Sequence, residues 1–290
     1  ESGWGLVIEN GKTSWDVING LTIGLQVELG IQYPAPSFGP GTIAAMDAYG
    51  SISEGVNDSN LNINKIIQGG CWCTGYNPTN FDGVFDQNLT IAMKELENNI
   101  GIEKTGIVDT KLMKALLTMN AYVVILDGNE KTRSFQQWLN RTYKEKQQFY
   151  YIPCDGLYSR GTQEGIIYGI QFECGLDDVA NGWFGPTTQA NLKEKGLVQL
   201  NDSDSTYNFV HLFKGAFLCN NKNSNIIFNG TFGQTLFSEV MSFQKFMCLE
   251  ENGNGDFQTW CDLLVSTGDS SRKTKALDCS LQKVTEERAD

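Results

Sequence analysis

The chain has 290 residues, enough for two to four small modules. Its 22 Lys and Arg against 34 Asp and Glu leave a net charge of −12, which repels phosphate backbones and anionic lipid surfaces and excludes nucleic acid and membrane as partners. One histidine, His211, excludes the multi-imidazole sites of zinc peptidases, and neither a G-x-S-x-G elbow nor an H-E-x-x-H pair occurs.

At 40 % hydrophobic and 19 % charged residues the chain can build a packed core. No apolar stretch approaches the roughly 20 residues of a membrane span. The opening Glu1-Ser2-Gly3, without Met or a leader pattern, is expected of a processed or trimmed product. Eight cysteines stand at 71, 73, 154, 174, 219, 248, 261 and 279. Cys71-x-Cys73 lacks metal spacing, and Cys174 and Cys248 sit in apolar runs, so the thiols read as small core residues. A few disulfides of undetermined pairing are the alternative.

An Asn-Gly or Asp-Gly pair recurs at Asn10-Gly11, Asp82-Gly83, Asp155-Gly156 and Asn229-Gly230, with the glycines 72, 73 and 74 residues apart. A second marker, Gln26, Glu97, Gln171 and Gln244, keeps spacings of 71, 74 and 73. In the first copy, Gly24-Leu25-Gln26-Val27-Glu28-Leu29-Gly30 ends one predicted helix and Phe38-Gly39-Pro40-Gly41-Thr42 opens the next. No helix fits ahead of Asn10-Gly11, so the chain is expected to begin inside a module. The second copy has a leading helix over 61–68, with Ile63, Ile66 and Ile67 on one face. Leu96 to Gly101 and Thr105 to Thr110 follow, without the Gln or the Phe-Gly-Pro.

The third copy is the fullest. Phe135, Trp138, Leu139 and Thr142 line the leading helix, and Ile166, Ile167, Ile170 and Cys174 line the middle one. Ser159 is the expected N-cap of that middle helix and Gly175 its left-handed terminator. Pro186 suits the first turn of the last helix. The fourth copy has Phe209, Leu212, Phe213 and Phe217 in its leading helix. Cys248 replaces the terminating Gly, and Trp260, Leu263 and Leu264 line its last helix. The expected fold class is all-α, in tandem three-helix bundles with long loops. The expected boundaries are 1–52, 53–127, 128–203, 204–268, and a linker with the start of a further domain at 269–290.

A helix with Gln-x-Trp-Leu-Asn, a D-G-x-aromatic turn, a helix with Gln before a closing Gly, and Phe-Gly-Pro-x-Thr form one ordered set. The set resembles the peptidoglycan-binding-like three-helix modules of bacterial cell-wall hydrolases over about residues 1–268. The end, with Ala276-Leu277-Asp278-Cys279 and Val284-Thr285-Glu286-Glu287-Arg288-Ala289, resembles the opening of a muramidase-like TIM barrel, in which Asp278 would be a candidate acid or base. One carboxylate cannot carry two-carboxylate glycoside hydrolysis, so no catalytic residue is expected in this chain. The resemblance implies a non-catalytic, secreted, wall-located region that binds peptidoglycan glycan or stem peptide by avidity, without cofactor or metal. The alternative is a spacer, rod or fibre subunit that self-associates.

Trp183 and Phe184 read either as a sugar-stacking platform, with Asn181 donating hydrogen bonds, or as plugs of the core beneath their loop. Phe38 is the first-copy counterpart of Phe184, and Tyr158 reads either as a groove residue or as core. Gln26, Gln171 and Gln244 read as loop braces, Asp82 and Asp155 as Asx turns, Trp138 as core, and His211 as a helix residue without catalytic duty.

Overall fold

The computed structural model describes residues 11–221 and 223–264. The fold is all-α. The described residues form eleven α-helices and one 3-10 turn, with isolated bridges in place of any strand. The chain divides into two compact units, Glu1–Tyr122 and Val123–Asp290. The first unit holds α1 (Trp15–Glu28), α2 (Pro40–Tyr49), α3 (Leu61–Thr74), α4 (Gln87–Ile100) and α5 (Thr110–Leu116). The second holds α6 (Glu130–Tyr143), α7 (Arg160–Glu173), the turn Asp177–Val179, α8 (Pro186–Lys195), α9 (Phe209–Asn220), α10 (Gln234–Met247) and α11 (Phe257–Leu264).

Helix starts follow local chemistry. Asn60, Asp86, Asp109 and Asn129 each accept backbone N–H bonds of the first turn that follows. Pro40 and Pro186 occupy first-turn positions, where a missing N–H costs nothing. Ser159 holds the N-cap position of α7, but its side chain makes no capping bond.

Four helices end in one motif. After α7, Gly175 N–H donates to Phe172 and Leu176 N–H donates to Gln171. The same two bonds close α1 on Val27 and Gln26, α4 on Asn98 and Glu97, and α10 on Lys245 and Gln244. The left-handed position is Gly30, Gly101, Gly175 and, in α10, Cys248 at φ 55°. A non-glycine residue tolerates that conformation only at a cost.

Each unit is stitched through its loops. Ile52 and Val108 exchange both backbone bonds in unit 1, and Val198 and Gly255 do so in unit 2. The core of unit 1 includes Leu25, Ile63, Ile67, Leu89, Met93 and Leu112. That of unit 2 gathers Phe135, Leu139, Ile166, Ile170, Phe213 and Trp260. Full burial of such side chains contributes about 1.5–3 kcal/mol apiece.

Both readings of the cysteines hold in part. Cys71, Cys154, Cys174 and Cys219 are buried thiols, and burial pushes Cys219 up to about 12 and Cys174 up to about 11. Cys248 is disulfide-bonded. The expected barrel opening and Asp278 lie outside the described residues.

Candidate functional site

One amide clamp recurs through both units. In α7, Gln171 is buried and its Oε1 accepts Asn181 N–H and Gly182 N–H, both at 3.0 Å. Its Nε2 donates to Asn181 Oδ1 at 3.1 Å, Trp183 O at 3.1 Å and Thr188 Oγ1 at 3.0 Å. Asn181 Oδ1 also accepts Trp183 N–H at 3.0 Å, which makes the Asx turn. A single side chain thus fixes an Asx-Gly turn and ties it to a Thr of the next helix. In α10, Gln244 binds Asn252, Gly253, Asn254 and Thr259 in the same way.

The clamp appears twice in a three-helix set, because leading helices carry it too. Gln136 of α6 binds Asp155, Gly156, Leu157 and Thr162. Gln68 of α3 binds Asp82, Gly83 and Val84. Lys214 of α9 donates to Asn229 Oδ1 and Ile227 O instead. In three clamps the Asx and the Thr are seven residues apart: Asp155 and Thr162, Asn181 and Thr188, Asn252 and Thr259. In α1, Gln26 holds Ala35 N–H, Ser37 O and Thr42 Oγ1 without an Asx residue. Glu97 takes the role in α4, accepting Thr105 Oγ1–H and Gly106 N–H. Burial raises the Glu97 carboxyl above its ordinary range, and the two donors offset that in part.

The clamp displays side chains that it does not use. Trp183 is 66 % exposed and its indole folds over Gly185, where an added Cβ would stand 2.5 Å from the ring. Gly182 has φ +69°, and a Cβ there would meet Glu164 and Tyr168. Phe184 is half-buried against the core and Asn181 is exposed. Phe38 is half-buried, and Tyr33 of the same loop is 82 % exposed. By register, Ser37, Ile107 and Asn254 stand at the position of Trp183.

Tyr158 does not line a groove. It is buried, and its hydroxyl donates to Leu263 O at 2.9 Å, so its polar end is consumed inside unit 2. Asp82 and Asp155 make their Asx turns through Val84 N–H and Leu157 N–H. Trp138 is core and stacks on His211 at 5.0 Å. His211 Nδ1 lies 2.7 Å from Asp204 Oδ2, and Asp204 also accepts the Val210 and His211 N–H groups at the start of α9. Among the described residues no group of three or more His, Cys, Asp or Glu could hold a metal ion, and no helix is long and apolar enough to cross a membrane. Sequence reading assigned no role to Gln68, Gln136, Lys214 or the clamp threonines; for Thr162, Thr188 and Thr259 the seven-residue spacing from the Asx residue was the available signal.

Comparison with known proteins agrees with this architecture. Residues 125–264 match the family profile described as FadG/YbfG, PGDB-like domain, and residues 72–116 match that of a putative peptidoglycan binding domain. The chain is 44 % identical over 292 residues to the uncharacterized protein FadG of Bacillus subtilis (strain 168), covering 100 % of this chain and 50 % of FadG. It is 41 % identical over 282 residues to the uncharacterized protein YbfG of the same organism, covering 95 % of this chain and 37 % of YbfG. The chain therefore spans half or less of the length of these relatives. No solved structure matches it. The chain thus carries a peptidoglycan-binding domain and a FadG/YbfG, PGDB-like domain.

Proposed function

We propose that the chain is a non-catalytic attachment region that holds peptidoglycan, with the α7–α8 loop as its principal contact. The observation that carries this reading is Trp183, two-thirds exposed on a loop whose backbone Gln171 fixes. A rigid aromatic loses little freedom on binding, and its flat face suits the apolar face of a sugar ring or a stem-peptide side chain. Asn181, exposed beside it, offers its amide to an N-acetyl or peptide carbonyl, and Phe184 supports the loop from beneath. Phe38, with Tyr33, gives the α1–α2 loop a weaker version of the same surface. Linked weak contacts raise the effective concentration for one another, so attachment gains from multivalency. The reading puts the chain at the wall, outside the membrane, as part of a secreted hydrolase or surface protein.

The test is co-sedimentation with purified peptidoglycan. Trp183→Ala is expected to weaken binding about tenfold or more, the scale of a lost aromatic anchor. A net charge of −12 leaves no phosphate-type attraction to screen, so binding should change little with salt. Wall binding that is indifferent to Trp183→Ala overturns the assignment of the loop.

A second reading is favoured by Ser37, Ile107 and Asn254 at the Trp183 position. On that reading the remaining loops bind nothing, and their helix sets act as spacers that hold the α7–α8 loop away from a neighbouring domain or copy.

A further inference from the structure

The clamped turns rest on their own helices in a fixed register. A Cβ on Gly182, in the turn that Gln171 holds, would stand 2.5 Å from Glu164 Cγ and 2.7 Å from Tyr168 Cε2. Glu164 and Tyr168 lie seven and three positions before Gln171, so one face of α7 carries both. The register recurs at other turns. A Cβ on Gly106, held by Glu97, would meet Thr90 at 2.8 Å and Lys94 at 3.2 Å. One on Gly253, held by Gln244, would meet the Phe237 ring at 2.3 Å. Each of these turns therefore has helix side chains against its glycine and one further side chain directly after it. The clamp bonds use none of those helix side chains, so their chemistry can differ: Thr90 and Lys94 in α4, Glu164 and Tyr168 in α7, Phe237 in α10.

At the α7–α8 turn that chemistry suits a cation. Glu164 is exposed, and its aliphatic stem lies on the Gly182 backbone, which keeps the carboxylate beside the turn. Tyr168 is half-buried, stacked on Phe172 at 5.9 Å and edge-on to Phe149 at 5.9 Å, so its ring is held. Burial raises the Tyr168 phenol above its ordinary range, and the Glu164 carboxylate raises it further, which brings the two polar ends near each other. Trp183 follows Gly182 directly and is two-thirds exposed. A carboxylate beside aromatic rings suits an ammonium group, whose charge pairs with the one and lies against the others. At the α4–α5 turn Lys94 puts the opposite charge in the same place and repels the same ligand.

We propose that Glu164, Tyr168 and Trp183 form a subsite for a primary ammonium group of the wall polymer, which rests on the reading of the α7–α8 loop as the peptidoglycan contact. The side-chain amine of a stem-peptide diamino residue and the amine of a de-N-acetylated glucosamine both carry that chemistry. Glu164 takes the charge, the two rings flank it, and Asn181 is left for a neighbouring carbonyl. A single exposed ion pair adds little long-range attraction, so the small salt dependence expected of the loop is unchanged.

The test is co-sedimentation of the full chain with purified peptidoglycan, untreated and after its amines are acetylated with acetic anhydride. Acetylation is expected to weaken binding about fivefold or more. Glu164→Gln should bind untreated wall as weakly as the parent binds acetylated wall, and acetylation should then make no further difference. Glu103→Gln, which removes one negative charge from an exposed site in unit 1, should behave as the parent. Competition with a lysine-bearing stem peptide, and with stem-free glycan strands before and after de-N-acetylation, separates the two sources of the amine. Binding that needs Trp183 but ignores both acetylation and Glu164→Gln overturns the subsite and leaves the loop assignment standing. Binding that ignores Trp183→Ala, or no binding to either wall, overturns both.

Discussion

Replacing Gln171 by Leu tests the clamp most directly. The two side chains are similar in size, so the substitution keeps the packing and removes only the polar partners. Asn181 N–H and Gly182 N–H lose their acceptor, and Trp183 O, Asn181 Oδ1 and Thr188 Oγ1 each lose the Nε2 donor, although Trp183 O keeps the Thr188 hydroxyl and Asn181 Oδ1 keeps Trp183 N–H. An unsatisfied buried polar group costs about 1–3 kcal/mol. Because the loop is partly open to water, which can take up some of the loss, the sum for unit 2 is about 3 kcal/mol. Gln171→Glu is the natural control, since it keeps both acceptors as Glu97 does in α4; it should lose about half as much. The assay is urea unfolding of the full chain, with amide hydrogen exchange at Asn181 and Gly182 separating loop opening from unfolding of the unit. Peptidoglycan co-sedimentation should weaken in the same order. A Gln171→Leu chain within about 0.5 kcal/mol of the parent, with the two amides still protected, would refute the claim that this side chain holds the loop.

The remaining predictions use the same physics. Glu97→Gln should stabilise unit 1 at pH 7, because burial raises the folded-state carboxyl above its unfolded value and so disfavours its charged form. The sign is fixed: the parent recovers stability as the pH falls through the raised value towards the ordinary glutamate range, so the two urea midpoints should converge near pH 4. Gly215→Ala should cost unit 2 about 2–4 kcal/mol, since a Cβ would stand 2.1 Å from the Phe135 ring. Gly69→Ala, with only the end of Leu21 in the way, should be neutral or slightly stabilising through helix propensity; thermal denaturation of both variants checks the contrast. Tyr158→Phe should cost about 1 kcal/mol through the lost bond to Leu263 and leave peptidoglycan binding intact.

Much of the fold was legible because its markers are local. The spacing of Gln26, Glu97, Gln171 and Gln244 reports a helix end, and in the structure each backbone carbonyl closes the terminating motif while each side chain holds the loop. Glu97 looked like a departure because residue identity was compared, whereas the clamp needs only an acceptor aimed at Gly106 N–H. The leading-helix clamps escaped because Gln136 lies 20 residues before Gly156 while Gln171 lies 11 before Gly182, and no single period joins them. The sequence left Tyr158 open between groove and core because its partner, the Leu263 carbonyl, is 105 residues away, beyond the reach of any turn signal. Ser159 was a sound N-cap by composition and takes that position in α7, but its side chain makes no capping bond.

The clamp reaches position 183 only through its backbone N–H and C=O groups. Ser37 and Asn254 offer the same backbone carbonyl to their own glutamines. The side chain at that site is therefore decoupled from folding, and drift can rewrite what a loop touches at little thermodynamic risk. A scaffold of this kind supports diversification as a set of tunable fingertips, each on its own fixed knuckle. Libraries randomised at 37, 107, 183 and 254 should retain parental stability while their wall preferences diverge.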